Sequence, residues 1–408
     1  MYYSFPQLAL PTRFQTYNLV RRVLSDAGHT VSETIDIECD AILYSACDVL
    51  DILPLRRLRK QTSKPIILGG AFSFNYWSAI IYSDIVWIGE IFEFAELNSL
   101  ADIADSPHAY VADSKKVLYS SQRIDWGKIP VTQISKNKAY YWGGVGCKNH
   151  CKFCFTSWTH FRNDNEQSRM QAAREECRRR GVHLMISANF YEDDPGTTTK
   201  DFLLRDYLKL PVSALLVRCG IEFAREDTRK SQGKDISKND IYAAIQKMNR
   251  DNVALRLFHI TGYEPLSDWE GYVDDLAAML SVHPNKRLLH LMFNNLQYQN
   301  YTPLYAERRS INPERYADFR LAKAWHNKLR QYSAHISIGA PSPFQQVACR
   351  MGVGLANTKE QAEYWVKAFS RKDKTTKDEA YKALFSTGIL DTPRVVLKKD
   401  GRISEVAD

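Results

Sequence analysis

Residues 139–158 read AYYWGGVGCKNHCKFCFTSW. Three of the chain's eight cysteines stand here, Cys147, Cys151 and Cys154, in the spacing C-x3-C-x2-C. The aromatic, apolar run Tyr140, Tyr141, Trp142 and Val145 predicts a strand that ends at the loop carrying them. Gly143, Gly144 and Gly146 let that loop turn sharply. Three thiols so close together suit a metal better than a disulfide, because one would be left over. Two readings stand. Iron–sulfur clusters are held by cysteine thiolates, normally four, so three would leave one iron open. Zinc takes four N or S ligands in a closed site, and His150 could complete the set C-x2-H-C-x2-C. Compact zinc sites usually draw on two separated ligand pairs, and the chain has no second C-x2-C pair.

With Phe153 directly before the last cysteine, and a strand leading into the loop, these residues resemble the signature of the radical S-adenosylmethionine superfamily. The resemblance implies a [4Fe–4S] cluster held by Cys147, Cys151 and Cys154, with the amino and carboxylate groups of S-adenosylmethionine on the open iron. One electron would then cleave the sulfonium and yield a 5′-deoxyadenosyl radical. Phe153 counts with the S-adenosylmethionine-binding residues in this pattern.

The 408 residues allow two or three domains. A composition 44% hydrophobic and 25% charged is that of an ordinary globular protein. The net charge of +8, from 55 basic and 47 acidic residues, permits an anionic partner without arguing for one. Cys39, Cys47, Cys177, Cys219 and Cys349 are scattered, as buried free thiols are, and imply a reducing cytoplasm. Met1–Leu10 lacks the features of a signal peptide. Residues 65–83 are uncharged, yet Gly69, Gly70, Ser73, Asn75 and Ser78 make them a strand, loop and helix rather than a membrane span. No membrane association is expected.

Upstream of the cysteines, Leu19–Ala27 has helical spacing and stops at Gly28. Leu55–Gln61 reads as a basic helix. Residues 41–46, 65–70 and 85–89 are short apolar strands. Such alternation predicts a parallel sheet with helices on its faces, and ligands bind beyond the carboxyl ends of such strands. Ser45, Gly69, Gly70, Gly89 and Glu90 fall at those ends. This order, over about residues 1–100, resembles the cobalamin-binding domain that precedes many radical S-adenosylmethionine domains. There the strand-end serine, Gly-Gly and Gly-Glu border the corrin's lower face and nucleotide tail. The D-x-H-x-x-G motif that gives a histidine to cobalt is absent, and Met1–Leu10 stands in place of the usual first strand. An empty Rossmann-like domain is therefore the alternative. Residues 109–119 read as a hairpin, and Asp125 and Pro130 resemble the Asp and Ile-Pro connector of the same enzymes.

Downstream, helices are predicted over 166–180, 201–208, 239–249, 269–280 and 313–332, and strands over 184–189, 214–219, 254–260, 288–293 and 335–338. With Tyr140–Val145 these make six strands, which suits the superfamily's partial (β/α)6 TIM-type barrel, functional groups lying at the strands' C-terminal ends. By resemblance, Ser187 and Asn189 would meet the methionine amino group. Arg218 and Glu222, in VRCGIEF, resemble the Gly-x-Glu strand end near the ribose and carboxylate. Gly262, in HITGYE, resembles the Gly-x-Pro-Gly-Glu turn near the adenine. The family places Gly-x-Glu on its fourth strand, whereas the count here makes it the third. Either a strand is missing upstream or that likeness is coincidental. Thr302-Pro303-Leu304 resembles the Thr-Pro-Leu of cobalamin-linked members, and Tyr298, Tyr301 and Tyr305 could line a substrate pocket. Residues 394–403 read as a hairpin turning at Asp400-Gly401.

The expected organisation is an α/β chain: a Rossmann-like, cobalamin-binding-like domain over 1–105, a linker with hairpin over 106–135, the radical barrel over 136–340, and a small C-terminal region over 341–408. The first reading is a cobalamin-dependent methyltransferase acting on an unactivated carbon, with a [4Fe–4S] cluster, S-adenosylmethionine and cobalamin as cofactors. A small-molecule or peptide substrate is favoured over nucleic acid, and flavodoxin or ferredoxin would donate electrons. The second reading is a cobalamin-independent radical enzyme modifying a nucleic acid or peptide. The third is a zinc-stabilised binding module without catalysis.

Overall fold

The computed structural model describes residues 1–6, 14–46, 51–74, 76–112, 124–147, 149–158, 162–163, 167–186, 199–209, 211–212, 214–282, 285–296, 302–306, 319–333, 335–338, 359–360, 363, 395–397 and 403–405. The first sheet has six strands: β1 (Tyr2–Ser4), β2 (Thr30–Ser32), β3 (Ala41–Ser45), β4 (Ile66–Gly69), β5 (Ile85–Trp87) and β6 (Ala109–Tyr110). Their order is β2-β1-β3-β4-β5-β6. All neighbours are parallel except β6, which closes the edge antiparallel to β5. Strands β3, β4 and β5 are apolar throughout and buried, as strands covered on both faces must be. Ser45 pairs in register with Gly69, so these two strands end level. Leu19, Val23 and Leu24 of the Phe14–Asp26 helix pack on Tyr3, Leu43, Ile67 and Trp87.

In the second sheet, β7 (Thr132–Ser135) runs antiparallel to β8 (Lys138–Tyr141), and β8 pairs in parallel with β11 (His183–Ile186). Between them, the short antiparallel pair β9 (Gly144–Val145) and β10 (Arg162–Asn163) brackets the cysteine loop. Ala139, Tyr141 and Leu184, with Met170, Ala173 and Cys177 of the Gln167–Arg179 helix, share one core with the first sheet.

The third sheet contains β12 (Thr199–Phe202), β13 (Leu216–Glu222), β14 (Ala254–Thr261), β15 (Leu289–Asn295) and β16 (His335–Ile338), all parallel and in that order. Burial alternates along β13 and β14. Val217, Cys219, Leu255, Leu257, Leu291 and Phe293 pack against Tyr207, Ile241, Met248, Trp269 and Trp325 of the intervening helices. The helix Lys238–Asp251 begins on a capping box, Ser237 with Asp240. The opposite face carries Arg218, Gly220 and Glu222 of β13 and Arg256 and Phe258 of β14, all half-buried. Strands β17 (Val395–Leu397) and β18 (Ile403–Glu405) pair antiparallel, as the predicted hairpin requires.

Several sequence expectations need correction. The opening residues do form a strand: β1 is bonded to both β2 and β3. It is short and ends in the buried Ser4, so it lacks the apolar run that betrays β3 and β4. Ala109–Tyr110 pairs with β5 rather than opening a free hairpin, extending the first sheet past residue 105; residues 113–119 lie outside the described residues. The helix expected over 201–208 is a strand, Thr199–Phe202, followed by the helix Leu204–Lys209. Thr-Lys-Asp-Phe has no apolar period, and its partner β13 decides its state. The Leu216–Glu222 strand therefore has the missing strand upstream. Along the chain it follows β8, β11 and β12, which stand in two sheets: β8 pairs in parallel with β11, and β12 with β13. Ser187, Asn189, Tyr298, Tyr301, residues 313–318 of the predicted helix and most of the C-terminal region over 341–408 lie outside the described residues.

Candidate active site

The cysteine loop is held from two directions. The Lys152 amide donates to the Gln232 carbonyl at 3.1 Å, and the Leu304 amide donates to the Lys152 carbonyl at 3.0 Å. Thr302 is buried beside the short Pro303–Ala306 helix, so the Thr-Pro-Leu segment is one of the two clasps. Within the loop, the Trp158 indole donates to the Cys151 carbonyl at 3.0 Å. The three thiols are free; Cys151 is buried, Cys147 and Cys154 partly exposed. The Asn149 amide reaches the Cys147 sulfur at 3.4 Å. Burial pushes the Cys151 thiol up to about 11, against the opposing pull of the Lys234 ammonium. A bound metal would reverse that balance, since coordination deprotonates a thiol outright.

No three His, Cys, Asp or Glu side chains among the described residues converge on a point that could hold a single ion. His150 is exposed and stands edge-on to Trp158 at 6.2 Å. Three separate thiols on a clasped loop are a donor set of the kind that fits a cluster.

At the end of β13, a bulge at Gly220–Glu222 turns Glu222 into the left-handed region, φ 66°. Its carboxylate lies back over Gly220, where a Cβ would stand 2.0 Å from Oε1. Lys234 Nζ meets that carboxylate at 3.2 Å, and the two side chains are only 13% and 15% exposed. Burial opposes the Lys234 charge, but Glu222 and the Cys151 and Cys154 sulfurs outweigh it and hold the ammonium above its usual range. Phe153 packs edge-on to Phe223 at 5.1 Å, and Phe223 meets Tyr263 at 5.3 Å, so aromatic rings join the cysteine loop to the ends of β13 and β14. Gly262 takes φ 103° in the turn leaving β14. Glu264, buried, accepts the Ala224 and Arg225 amides at 2.9 Å each and fixes the backbone beyond β13.

A cavity of about 650 Å³, ordinary for a small-molecule site, opens at the carboxyl ends of β3, β4 and β5. Ser45, Gly69, Gly70, Gly89 and Glu90 all line it, with aromatic and aliphatic walls such as Phe5, Leu43 and Trp87. Tyr140 and Trp142, from the strand that runs into the cysteine loop, form its remaining side. Two details fit a bound group here. The Ser45 hydroxyl is shut off from solvent with no hydrogen-bond partner. Nothing lies within 4 Å of where a Gly69 side chain would begin.

The structure therefore gathers the sequence-predicted residues into two groups. Cys154 and Glu222 are within electrostatic reach of Cys151 without the three converging on one point, Phe153 is joined through Phe223 and Tyr263 to the turn that holds Gly262, and the five strand-end positions lie around the cavity. Arg218 shares the open face with Glu222 but sits four positions lower on β13, about 13 Å at the usual rise. Its register partner is Arg256, and the row continues through His290 and His335 on the next two strands. Glu264 closes the HITGYE turn that the sequence points to, whereas Lys234 carries no sequence signal of its own. Lys234 stands in a polar loop whose only signal was the preceding Gly233.

No protein-family model and no curated protein sequence matches the chain. Solved structures match in fold. The radical S-adenosylmethionine methyltransferase TsrM from Kitasatospora setae, with cobalamin and a [4Fe–4S] cluster bound, aligns at TM-score 0.52 and 11% identity, over 95% of this chain and 99% of that one. TsrM with tryptophan substrate and the S-adenosylmethionine analogue aza-SAM gives 0.54 at 11%, over 92% and 99%. The cobalamin-dependent S-adenosylmethionine radical enzyme OxsB, with aqua-cobalamin and S-adenosylmethionine bound, gives 0.50 at 12%, over 94% and 70%. At these identities the likeness is one of fold: a mixed α/β chain with parallel sheets, like those enzymes along nearly its whole length.

Proposed function

We propose that this chain is a radical S-adenosylmethionine enzyme that also binds cobalamin and transfers a methyl group to an unactivated carbon. The observation carrying this reading is the cavity. Five positions singled out by resemblance line one space, and its last wall is the strand that leads to the three cysteines. In this reading β8, β11 and β12–β16 are consecutive parts of one partial barrel. When bound, the cluster would supply the electron that cleaves the S-adenosylmethionine sulfonium, and cobalamin would carry the methyl group. Cys147, Cys151 and Cys154 hold the cluster. Glu222, Phe153 and the Gly262 turn border S-adenosylmethionine, and the residues around Ser45 and Gly69 hold the corrin. The open face of the third sheet, with Phe258 and the Arg218–Arg256 row, receives a small molecule or peptide.

Cys39, Cys177 and Cys219 are buried thiols in no disulfide, which suits a reducing cytoplasm, where a flavodoxin- or ferredoxin-class donor would supply electrons. No helix among the described residues is long and apolar enough to cross a membrane.

The test is anaerobic purification with cobalamin, followed by iron, sulfide and cobalt counts and an assay of reductive S-adenosylmethionine cleavage. Stoichiometric corrin with iron and sulfide, and loss of both iron and cleavage in Cys151→Ala, are expected. Full activity without corrin would leave the cobalamin-independent enzyme acting on nucleic acid or peptide. Zinc without iron would leave the non-catalytic module.

A further inference from the structure

The turn Gln232-Gly233-Lys234 lies against the cysteine loop through its backbone. Besides accepting the Lys152 amide at Gln232, it faces the Cys151 sulfur with the Gly233 carbonyl at 3.8 Å. Gly233 has φ 74°, and a Cβ there would stand 2.5 Å from the His150 carbonyl oxygen, so no side chain fits between turn and loop. The turn is itself rigidly held. The Lys234 amide donates to the Arg229 carbonyl at 2.7 Å. The buried Arg229 guanidinium donates to the Ile236, Phe223 and Ala224 carbonyls at 2.7–2.9 Å. The Gln232 amide group reaches the Tyr263 hydroxyl at 3.0 Å. Such a frame fixes where the next side chain goes.

That side chain is Lys234, directly after the carbonyl that faces the Cys151 sulfur, and its ammonium is held at 3.2 Å from Glu222 within electrostatic reach of that sulfur. Glu222, paired with it, acts on Cys151 in the opposite sense.

Resting on the iron–sulfur reading above, we propose that Lys234 is a positioning residue whose fixed positive charge tunes the reduction potential of the cysteine-held cluster. Glu222 acts as the opposing partial counterweight. A cation close to the thiolates stabilises the reduced cluster, which carries one more negative charge. Net charge around the sulfurs is one of the factors that set such potentials. Lys234→Met keeps the length of the side chain and removes the charge; Lys234→Arg keeps the charge.

The experiment uses the full chain, reconstituted anaerobically with iron and sulfide and titrated with dithionite and mediators while the reduced cluster is followed by electron paramagnetic resonance. Lys234→Met is expected to take up iron as the parent does but to shift its midpoint potential downward. Lys234→Arg should stay near the parent, and Glu222→Gln should shift upward. A parent-like potential in Lys234→Met overturns the proposal. Should Lys234→Met fail to take up iron, Glu222→Gln decides: an upward shift sustains the proposal, an unchanged or lower potential overturns it. Parent protein that takes up no iron overturns the iron–sulfur reading and this proposal with it. Iron-loaded protein whose potential ignores residue 234 overturns only the proposal.

Discussion

Arg56 and Glu363 stand 307 positions apart and meet through two parallel hydrogen bonds of 2.6 Å, Nε to Oε1 and Nη2 to Oε2. The Tyr82 hydroxyl adds a third at 2.7 Å. Each partner of the ion pair is only about a quarter exposed, 25% and 26%. Arg56 chiefly, with Tyr82, draws the Glu363 carboxyl down to about 2. The pair ties the C-terminal region to the Ile52–Gln61 helix of the first sheet's layer. A double-mutant cycle of Arg56→Ala and Glu363→Ala on thermal unfolding should give a coupling of about 1–2 kcal/mol, the range of a fork-shaped charged pair. Since Glu363 is depressed on folding, its contribution is complete above the ordinary carboxylate range and is lost as pH falls through about 2.

Gly69 and Gly70 should respond oppositely to substitution. A Cβ at Gly69 would meet no atom within 4 Å, and Gly69 lines the cavity, so Gly69→Val adds bulk beside that space. Its thermal midpoint should stay near the parent's while corrin uptake, read by absorbance, is lost. Gly70→Ala places a Cβ 2.4 Å from the Ala46 carbonyl oxygen at φ 92°. It should cost about 2–3 kcal/mol of stability, visible in a denaturant melt of the ligand-free protein.

Glu264 gives a third prediction. Removing its carboxylate leaves the Ala224 and Arg225 amides without their acceptors next to Glu222. Glu264→Leu should destabilise by about 2–4 kcal/mol, two unsatisfied amides being the cause. Glu264→Gln keeps one acceptor oxygen for one of the two amides and should cost less than Glu264→Leu. Chemical denaturation of both variants checks the order.

Acid should weaken the fold well before its carboxylates titrate. His259 is wholly buried, packed on Phe293 at 4.5 Å, and burial lowers it to about 3. Burial, then the neighbouring His335 and Arg256, lower His290 to about 4. Both fall below the unfolded imidazole value of about 6.5, so the unfolded chain binds protons first as pH drops. Stability is therefore full above that value and declines as pH falls toward 4 and then 3. A thermal midpoint lower at pH 5 than at pH 7.5, with the difference reduced in His259→Phe, is the expected result.

Legibility in the sequence followed burial. Strands β3, β4, β14 and β15 announce themselves because both of their faces or every second residue must be apolar. β1 and β12 do not, because their state is imposed by hydrogen-bonded neighbours rather than by their own side chains. The same holds at the site. The cysteines and strand-end glycines carry their meaning in local spacing. Lys234 acquires its meaning only when distant loops close on it, and although Glu264 sits in a local turn pattern, its amide partners 40 and 39 positions away are not written there.

The shared core of Tyr3, Leu43, Tyr141, Met170 and Leu184 has a practical corollary. A fragment begun at residue 136 would carry an uncovered greasy wall where the first sheet belongs, and should precipitate rather than fold. The two halves are not interchangeable modules: each is the other's lining, and grafting either onto a foreign partner would require redesigning that seam.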